Sequence, residues 1–401
     1  MRVLMLHNRY LVPGGEDQST EAEAALLADS GCQVELLEQD NRHIAQLGKA
    51  RTAVRTLWSS ESFDQVRRAL RNGHFDVLHV QNFFPLWSPS VYHAAHRCGV
   101  PVVQTLRNYR LLCANSYLFR DNHVCEDCLG RSVPWFGVIR ACYRDSRAGS
   151  AVVAAMVGLH KLMGTWKHKV QVYIALTEFA RAKYIAGGLP AEKIVVKPNF
   201  VHPAPAPGAG GGGFALFVGR LSPEKGIATL LEAWRTADNP LPLKLVGDGP
   251  CANLVRSVVS SSQRLEYLGQ RSAGEVLDLM RRAEFLVFPS EWYEGMPRAV
   301  IEAFSVGTPV LASDLGATAS MVTPGENGYH FAPGDVVALR RQVEWCSRNL
   351  ESVRALRKNA RAAFEDRYTG AANAEALLAI YRRAREAQAP AAPPGARLGQ
   401  P

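Results

Sequence analysis

Residues 285–304 read Phe285-Leu286-Val287-Phe288-Pro289-Ser290-Glu291-Trp292-Tyr293-Glu294-Gly295-Met296-Pro297-Arg298-Ala299-Val300-Ile301-Glu302-Ala303-Phe304. The four leading apolar residues have the length and composition of a buried strand, and the segment from Pro297 has helical spacing, so the order is strand, loop, helix. Proline suits the first helical position. The helix is therefore predicted to begin at Pro297, with the backbone N–H groups of Gly295 and Met296 at its N-terminus, where phosphate binds readily. Glu294 precedes this helix and Glu302 lies inside it. Two carboxylates beside a phosphate site are electrostatically unfavourable unless hydroxyl donors separate them from it, and a sugar with a ribose supplies such hydroxyls. As plain structure the same residues read as a cap and an interface side chain.

Outward from this stretch, strand-length apolar runs alternate with helical segments twice over. The first half holds Val3 to His7, a helix over Glu16 to Ser30, then Gln33 to Leu37, Val77 to Val80 and Val100 to Thr105. The second half holds Phe214 to Val218, a helix near Gly226 to Ala237, then Leu243 to Val246, Leu265 to Leu268, a helix near Ala273 to Arg282, Phe285 to Phe288 and Val310 to Ala312. This is the rhythm of parallel sheets and predicts two α/β domains. A length of 401 residues fits that number. The Pro- and Gly-rich run 198–213 is the linker between residues 1–197 and residues 214–370. Residues 371–387 form a last helix, and the Ala/Pro-rich stretch 388–401 reads as a disordered tail. Ligands of such sheets bind in the loops that follow strands, here in a cleft between the domains.

The strand Phe214 to Val218 runs into Gly219-Arg220-Leu221-Ser222-Pro223-Glu224-Lys225-Gly226. Glycine lets the backbone turn close to a ligand, and Arg220 and Lys225 can both reach an anion such as a diphosphate. A solvated loop with two surface cations is the plain alternative. Taken with the Glu294-x7-Glu302 pair, Val246-Gly247-Asp248-Gly249-Pro250 and Gly325-Glu326-Asn327-Gly328, this set resembles the donor domain of the retaining glycosyltransferases of family 4.

That resemblance implies the GT-B fold, two Rossmann-like domains facing each other across a cleft, with the last helix crossing back to the first domain. It implies transfer of a sugar from a nucleotide-diphosphate donor to a saccharide or lipid-linked acceptor, in glycan or polysaccharide biosynthesis, with retention and without a catalytic metal. In the family the carboxylate matching Glu294 touches the sugar hydroxyls, the one matching Glu302 holds the ribose, and the cations matching Arg220 and Lys225 grip the diphosphate. No double-displacement nucleophile is identifiable. A sugar-nucleotide epimerase or phosphorylase of the same fold, or a binding subunit without catalysis, are the alternative readings.

Pro13-Gly14-Gly15-Glu16-Asp17 resembles the family's glycine loop, so Gly14 and Gly15 join Gly219, Gly295, Met296 and Pro297 as donor-binding candidates. Relatives carry His where this chain has Gln81 and Arg107. A guanidinium stays charged and cannot act as a base. Arg107 is therefore expected to be a further anion contact at the catalytic centre, alongside Glu294, Arg220 and Lys225, unless the chain has become a binding subunit.

Four of the eight cysteines, Cys113, Cys125, Cys128 and Cys142, fall in an insertion spaced C-x11-C-x2-C-x13-C. Cys125-Glu126-Asp127-Cys128 has the tight spacing of a tetrahedral zinc site that the two outer thiols could complete. Buried free thiols and a redox pair remain open beside this structural zinc. Eight cysteines in 401 residues are too dilute for a disulfide framework, which makes a reducing cytoplasm the expected compartment.

Lys and Arg exceed Asp and Glu by nine. The basic residues form no stripe interleaved with aromatics, which argues against a nucleic-acid binder. No apolar run approaches the 18 or so residues needed to span a bilayer. Residues 131–169 do mix Trp135, Phe136, Ile139, Leu159, Leu162 and Trp166 with many cations, a pattern that fits either peripheral binding to an anionic leaflet, on the inner face of the cytoplasmic membrane, or a helix packed on the first sheet.

Overall fold

The structure is a computed structural model that describes residues 1–11, 14–238 and 240–388. Pro13 of the glycine loop and, apart from Gln388, the expected tail lie outside these residues. Two six-stranded sheets are present, every strand pair in both being parallel.

The first sheet contains β1 (Arg2–Arg9), β2 (Gln33–Asp40), β3 (Val77–Val80) and β4 (Val102–Leu106). A two-stranded hairpin of β5 (Phe119–Arg120) and β6 (His123–Val124) follows, and the sheet resumes with β7 (Val172–Ala175) and β8 (Ile194–Val196). Its order is β2-β1-β3-β4-β7-β8. The second sheet uses β9 (Ala215–Val218), β10 (Leu243–Val246), β11 (Leu265–Gly269), β12 (Phe285–Phe288), β13 (Val310–Ser313) and β14 (Gly328–Phe331), in the order β11-β10-β9-β12-β13-β14. Strands β3, β4, β7, β12 and β13 are buried at every residue, as expected of parallel strands covered on both faces, and their few polar members, His79, Gln104, Thr105 and Ser313, are buried with them.

Both orders reverse direction once, in the first sheet between β1 and β3 and in the second between β9 and β12. Ligands of open parallel sheets sit outside the carboxyl ends of the strands at such a reversal. The loops there are the stretches singled out in the sequence: Gly14-Gly15 after β1, Gln81 after β3, Gly219 to Gly226 after β9 and Pro289 to Pro297 after β12.

Two local features differ from expectation. The helix after β12 spans Arg298–Ser305, with Pro297 as its N-cap at φ −73° and ψ 115° rather than as its first residue. Strands β7, β8 and β14 add to those expected.

The helix Gly370–Gln388 follows the second sheet in the chain but packs against the first. Leu377, Ile380, Tyr381 and Ala384 are buried in one cluster with Val3, Met5, Val77, Val103, Val172 and Ile174. At about 1.5–3 kcal/mol for each fully buried large apolar side chain, these contacts hold the helix firmly to the other sheet.

Candidate active site

The Gly219–Gly226 loop is pinned to its neighbours by backbone bonds. Gly219 N donates to Val246 O, Leu221 N to Asp248 O and Glu291 N to Glu224 O, at 2.9–3.1 Å. Gly226 sits at φ 68°, and a Cβ there would lie 1.9 Å from the Pro289 carbonyl oxygen, so only glycine lets the two motif loops touch. The outcome is a fixed relation between Lys225 and Glu294. Lys225 Nζ donates to Glu294 Oε1 at 2.6 Å, and the same oxygen accepts from Ser290 Oγ at 2.5 Å and Trp292 Nε1 at 2.8 Å. Glu294 Oε2 has no protein donor among the described residues and is the oxygen left to a ligand.

Between the two sheets lies a cavity of about 380 Å³. It brings together, of the residues proposed from sequence, Gly14, Gly15, Arg107, Arg220, Lys225, Glu294, Gly295, Met296 and Pro297. Gly219 and Glu302 are not among its lining residues. Glu302 instead pairs with Arg298 one turn earlier, Nη2 to Oε1 at 3.2 Å, while Arg298 itself faces the cavity. Arg298, Arg110, Glu16 and Trp292 line the cavity unforeseen. A cation immediately after Pro297, at a helix N-terminus beside a phosphate-type loop, was the signal available for Arg298. In charge, the lining carries Arg107, Arg110, Arg220, Lys225 and Arg298 against Glu16 and Glu294.

Arg107 differs most from expectation. Its guanidinium is buried in an internal network: Nε and Nη2 donate to Gln81 Oε1 at 3.0 and 2.8 Å, Nη2 to Glu23 Oε2 at 3.2 Å, and Nη1 to Asn199 Oδ1 at 3.0 Å. Gln81 Nε2 in turn donates to Glu23 Oε2, and Lys197 Nζ to Glu23 Oε1, both at 2.5 Å. Gln81 and Arg107, the two departures from the family's His, are thus partners of each other. Burial alone would raise the Glu23 carboxyl, but Lys197, Arg107 and His79 outweigh it and hold that group at about 2. Burial pushes the Lys197 ammonium down. One carboxylate between two cations leaves a net positive charge behind the glycine loop. Arg107 acts here through its neighbours, positioning Asn199, whose N–H meets Met296 Sδ at 3.1 Å, rather than as a free anion contact.

The sequence itself matches two family descriptions. Residues 14–199 match "Glycosyl transferase 4-like domain" and residues 206–363 match "Glycosyl transferases group 1". The chain belongs to these glycosyltransferases, of the GT-B fold. Among similar proteins, the phosphatidyl-myo-inositol mannosyltransferase of Mycobacterium leprae is 26% identical over 82% of each chain. An uncharacterized glycosyltransferase of Methanocaldococcus jannaschii is 35% identical over 29% of this chain, a match spanning about a third, 32%, of that relative. Anabaena HepE, in complex with UDP and glucose, superposes with a TM-score of 0.65 at 18% identity, over 95% of this chain and 99% of the other. A Rickettsia africae glycosyltransferase gives a TM-score of 0.70 at 14% identity, over 96% and 98%.

In this glycosyltransferase the insertion between β4 and β7 forms one wall of the cleft. Tyr117 meets Trp292 edge to face at 4.8 Å, and Glu126, between Cys125 and Cys128, accepts from Lys183 Nζ at 2.5 Å. The four cysteines Cys113, Cys125, Cys128 and Cys142 line one small cavity, all as free thiols. Among the described residues, however, no group of three or more His, Cys, Asp or Glu is placed to hold a metal ion, so this arrangement does not fit the zinc set that the spacing suggested. Burial pushes the Cys113 and Cys142 thiols up, and Cys128 to about 11, which keeps them protonated at neutral pH. Among the described residues, no helix is long and apolar enough to cross a membrane.

Proposed function

We propose that this glycosyltransferase moves a sugar from a nucleotide-diphosphate donor to a saccharide or lipid-linked acceptor, with retention at the anomeric carbon and without a catalytic metal. The observation that carries the reading is the composition of the cleft: five cations against two carboxylates at the point where both sheets reverse. When the glycosidic bond to the donor phosphate breaks, negative charge grows on the leaving diphosphate, and Arg220, Lys225 and Arg298 stand ready to stabilise it, supplying the positive charge a metal would otherwise bring. Glu294, fixed by three donors on Oε1, offers Oε2 to the hydroxyls of the sugar. Those same three donors make it a weak nucleophile, which favours a route in which a leaving phosphate oxygen takes the acceptor proton on the same face. The complexes of Anabaena HepE with UDP and glucose and with UDP-glucose support a nucleotide sugar as donor.

The surface of the first domain supports a membrane-associated enzyme. Val133, Trp135, Ile139, Leu159, Leu162 and Met163 are exposed apolar side chains, Leu162 at 87%, and Lys161, Lys167 and Arg131 lie close by in the chain. Apolar groups mixed with cations favour an anionic leaflet.

The test is thermal shift against a panel of nucleotide-diphosphate sugars, followed by product analysis. The expected result is stabilisation by one of them, and release of nucleoside diphosphate only with an acceptor. Release of an isomer or free sugar without acceptor would replace the reading by epimerisation, a need for inorganic phosphate by phosphorolysis, and binding without turnover by a binding subunit.

A further inference from the structure

A second cavity lies on the first domain beside the cleft, an open groove of about 520 Å³, within the size range of small-molecule sites. Its walls are the helix Lys49–Leu57, the start of the helix Arg147–Leu162, and the loop at Phe84-Pro85. The walls are mainly apolar, through Ile44, Ala53, Phe84, Pro85, Val152 and Val153. Only two charged residues line it, Lys49 and Arg144. Both are exposed cations, and neither has a carboxylate partner among the described residues. The first turn of the 16-residue helix Arg147–Leu162 also faces the groove through Ala148 and Gly149, adding the positive end of its dipole.

One side chain separates groove from cleft. Arg110 lines the cleft, and its guanidinium carbon stands 4.3 Å from the Phe84 ring centroid and 5.2 Å from that of Tyr143, two residues that line the groove. Arg110 is held there by Ser116 Oγ at 3.0 Å and by the Ala114 carbonyl.

From this geometry we infer that the groove takes the apolar chain and phosphate of a lipid-linked acceptor, whose sugar then reaches past Arg110 into the cleft. The inference rests on the glycosyl-transfer reading and narrows its acceptor to a phosphate-bearing lipid. An apolar trough requires an apolar occupant to displace its water. Lys49 and Arg144, which have no carboxylate partner among the described residues, favour an anionic occupant, and contact through Arg110 places the occupant's polar end beside the donor.

The test uses the full chain and three soluble probes: octyl phosphate, octyl glucoside, which keeps the chain without the charge, and inorganic phosphate, which keeps the charge without the chain. Octyl phosphate is expected to bind at least tenfold more tightly than either. Ala53→Trp, which fills the trough, is expected to weaken it at least tenfold while nucleoside-diphosphate binding stays unchanged. Should that variant fail to fold, Lys49→Glu, on the exposed surface, is expected to bring octyl phosphate down to the level of octyl glucoside. Equal binding of octyl phosphate and inorganic phosphate, or indifference to both substitutions, overturns the inference. Binding to anionic vesicles without binding of monomeric octyl phosphate also overturns it and assigns this face to a bilayer surface. Octyl phosphate binding in a protein that binds no nucleoside diphosphate would leave the groove standing and remove the donor reading.

Discussion

A Cβ placed on Gly295 would stand 2.7 Å from the carbonyl oxygen of Arg107, so the loop after β12 meets the loop after β4 backbone to backbone. Real side-chain carbons do not approach an oxygen that closely, and the oxygen belongs to main chain that cannot swing aside. Gly295→Ala is expected to open the cleft by the width of a methyl group. Affinity for nucleoside diphosphate should fall about tenfold, about 1.4 kcal/mol, with the melting temperature nearly unchanged because neither core is touched. Calorimetric titration beside a melting curve checks this, and undiminished affinity would show that the close approach is dispensable for binding.

Lys225 and Glu294 are expected to behave as one unit. Lys225→Ala and Glu294→Gln should each lower kcat on the order of 100-fold or more, the scale of losing one preorganised electrostatic contact. Because Nζ and Oε1 are 2.6 Å apart, Lys225→Ala removes the shared contact and Glu294→Gln already strips it of its charge pairing. The double variant should therefore be much less impaired than the product of the singles. Transfer rates for the four proteins of the cycle measure this, and strict multiplicativity would place the two side chains in separate roles.

The buried cluster around Glu23 makes a prediction about stability. Glu23→Gln removes the carboxylate that, among the described residues, alone pairs with Lys197 and Arg107, leaving buried cations unpaired, and a loss of about 3–5 kcal/mol is expected. Arg107→His should also destabilise, since an imidazole cannot reach Gln81, Glu23 and Asn199 together, and it should raise KM for the donor more than it lowers kcat because Asn199 loses its hold beside Met296. Urea unfolding and steady-state kinetics test the pair. Higher activity in Arg107→His would restore the view that the natural chain lacks a needed base.

Much of this was legible in the sequence where the physics is local. Strand β12 is buried on both faces and reads as an unbroken apolar run, β3 reads as one interrupted only by His79, and the motif loops follow strands because that is where a parallel sheet leaves backbone free to bind. Strand β14 escaped because Gly328-Tyr329-His330-Phe331 opens on glycine and carries a histidine. The partners of side chains were not legible. Arg107 finds Glu23 84 residues away and Asn199 92 residues away, and no spacing rule relates them. Glu302 illustrates the opposite case: Arg298 stands four residues before it on the same helix, and that pairing could have been anticipated.

Acidification is expected to destabilise the fold through His79 first and Glu23 second. His79 is fully buried, its ring nitrogens within 2.8 Å of Tyr381 Oη and Thr105 Oγ1, and burial pulls it from 6.5 to about 4, with Lys197 and Arg107 opposing and Glu23 favouring its charged form. Between pH 6.5 and 4 the unfolded chain therefore binds a proton at this position that the folded chain refuses, so stability falls as pH drops through that window, by on the order of 3 kcal/mol. Burial lowers His93, also to about 4, and His160 as well, and both act in the same direction. Glu23 has the depressed value of a paired carboxylate, so its contribution is complete above its ordinary 4.5 and is lost as pH falls toward 2. None of these groups titrates between pH 7 and 8, and stability should be flat across that interval on their account. Urea midpoints measured from pH 8 to pH 4 test the order. A His79→Gln variant should reduce the slope between 6.5 and 4, the remainder being that of His93 and His160, and an unchanged slope would remove His79 as a source.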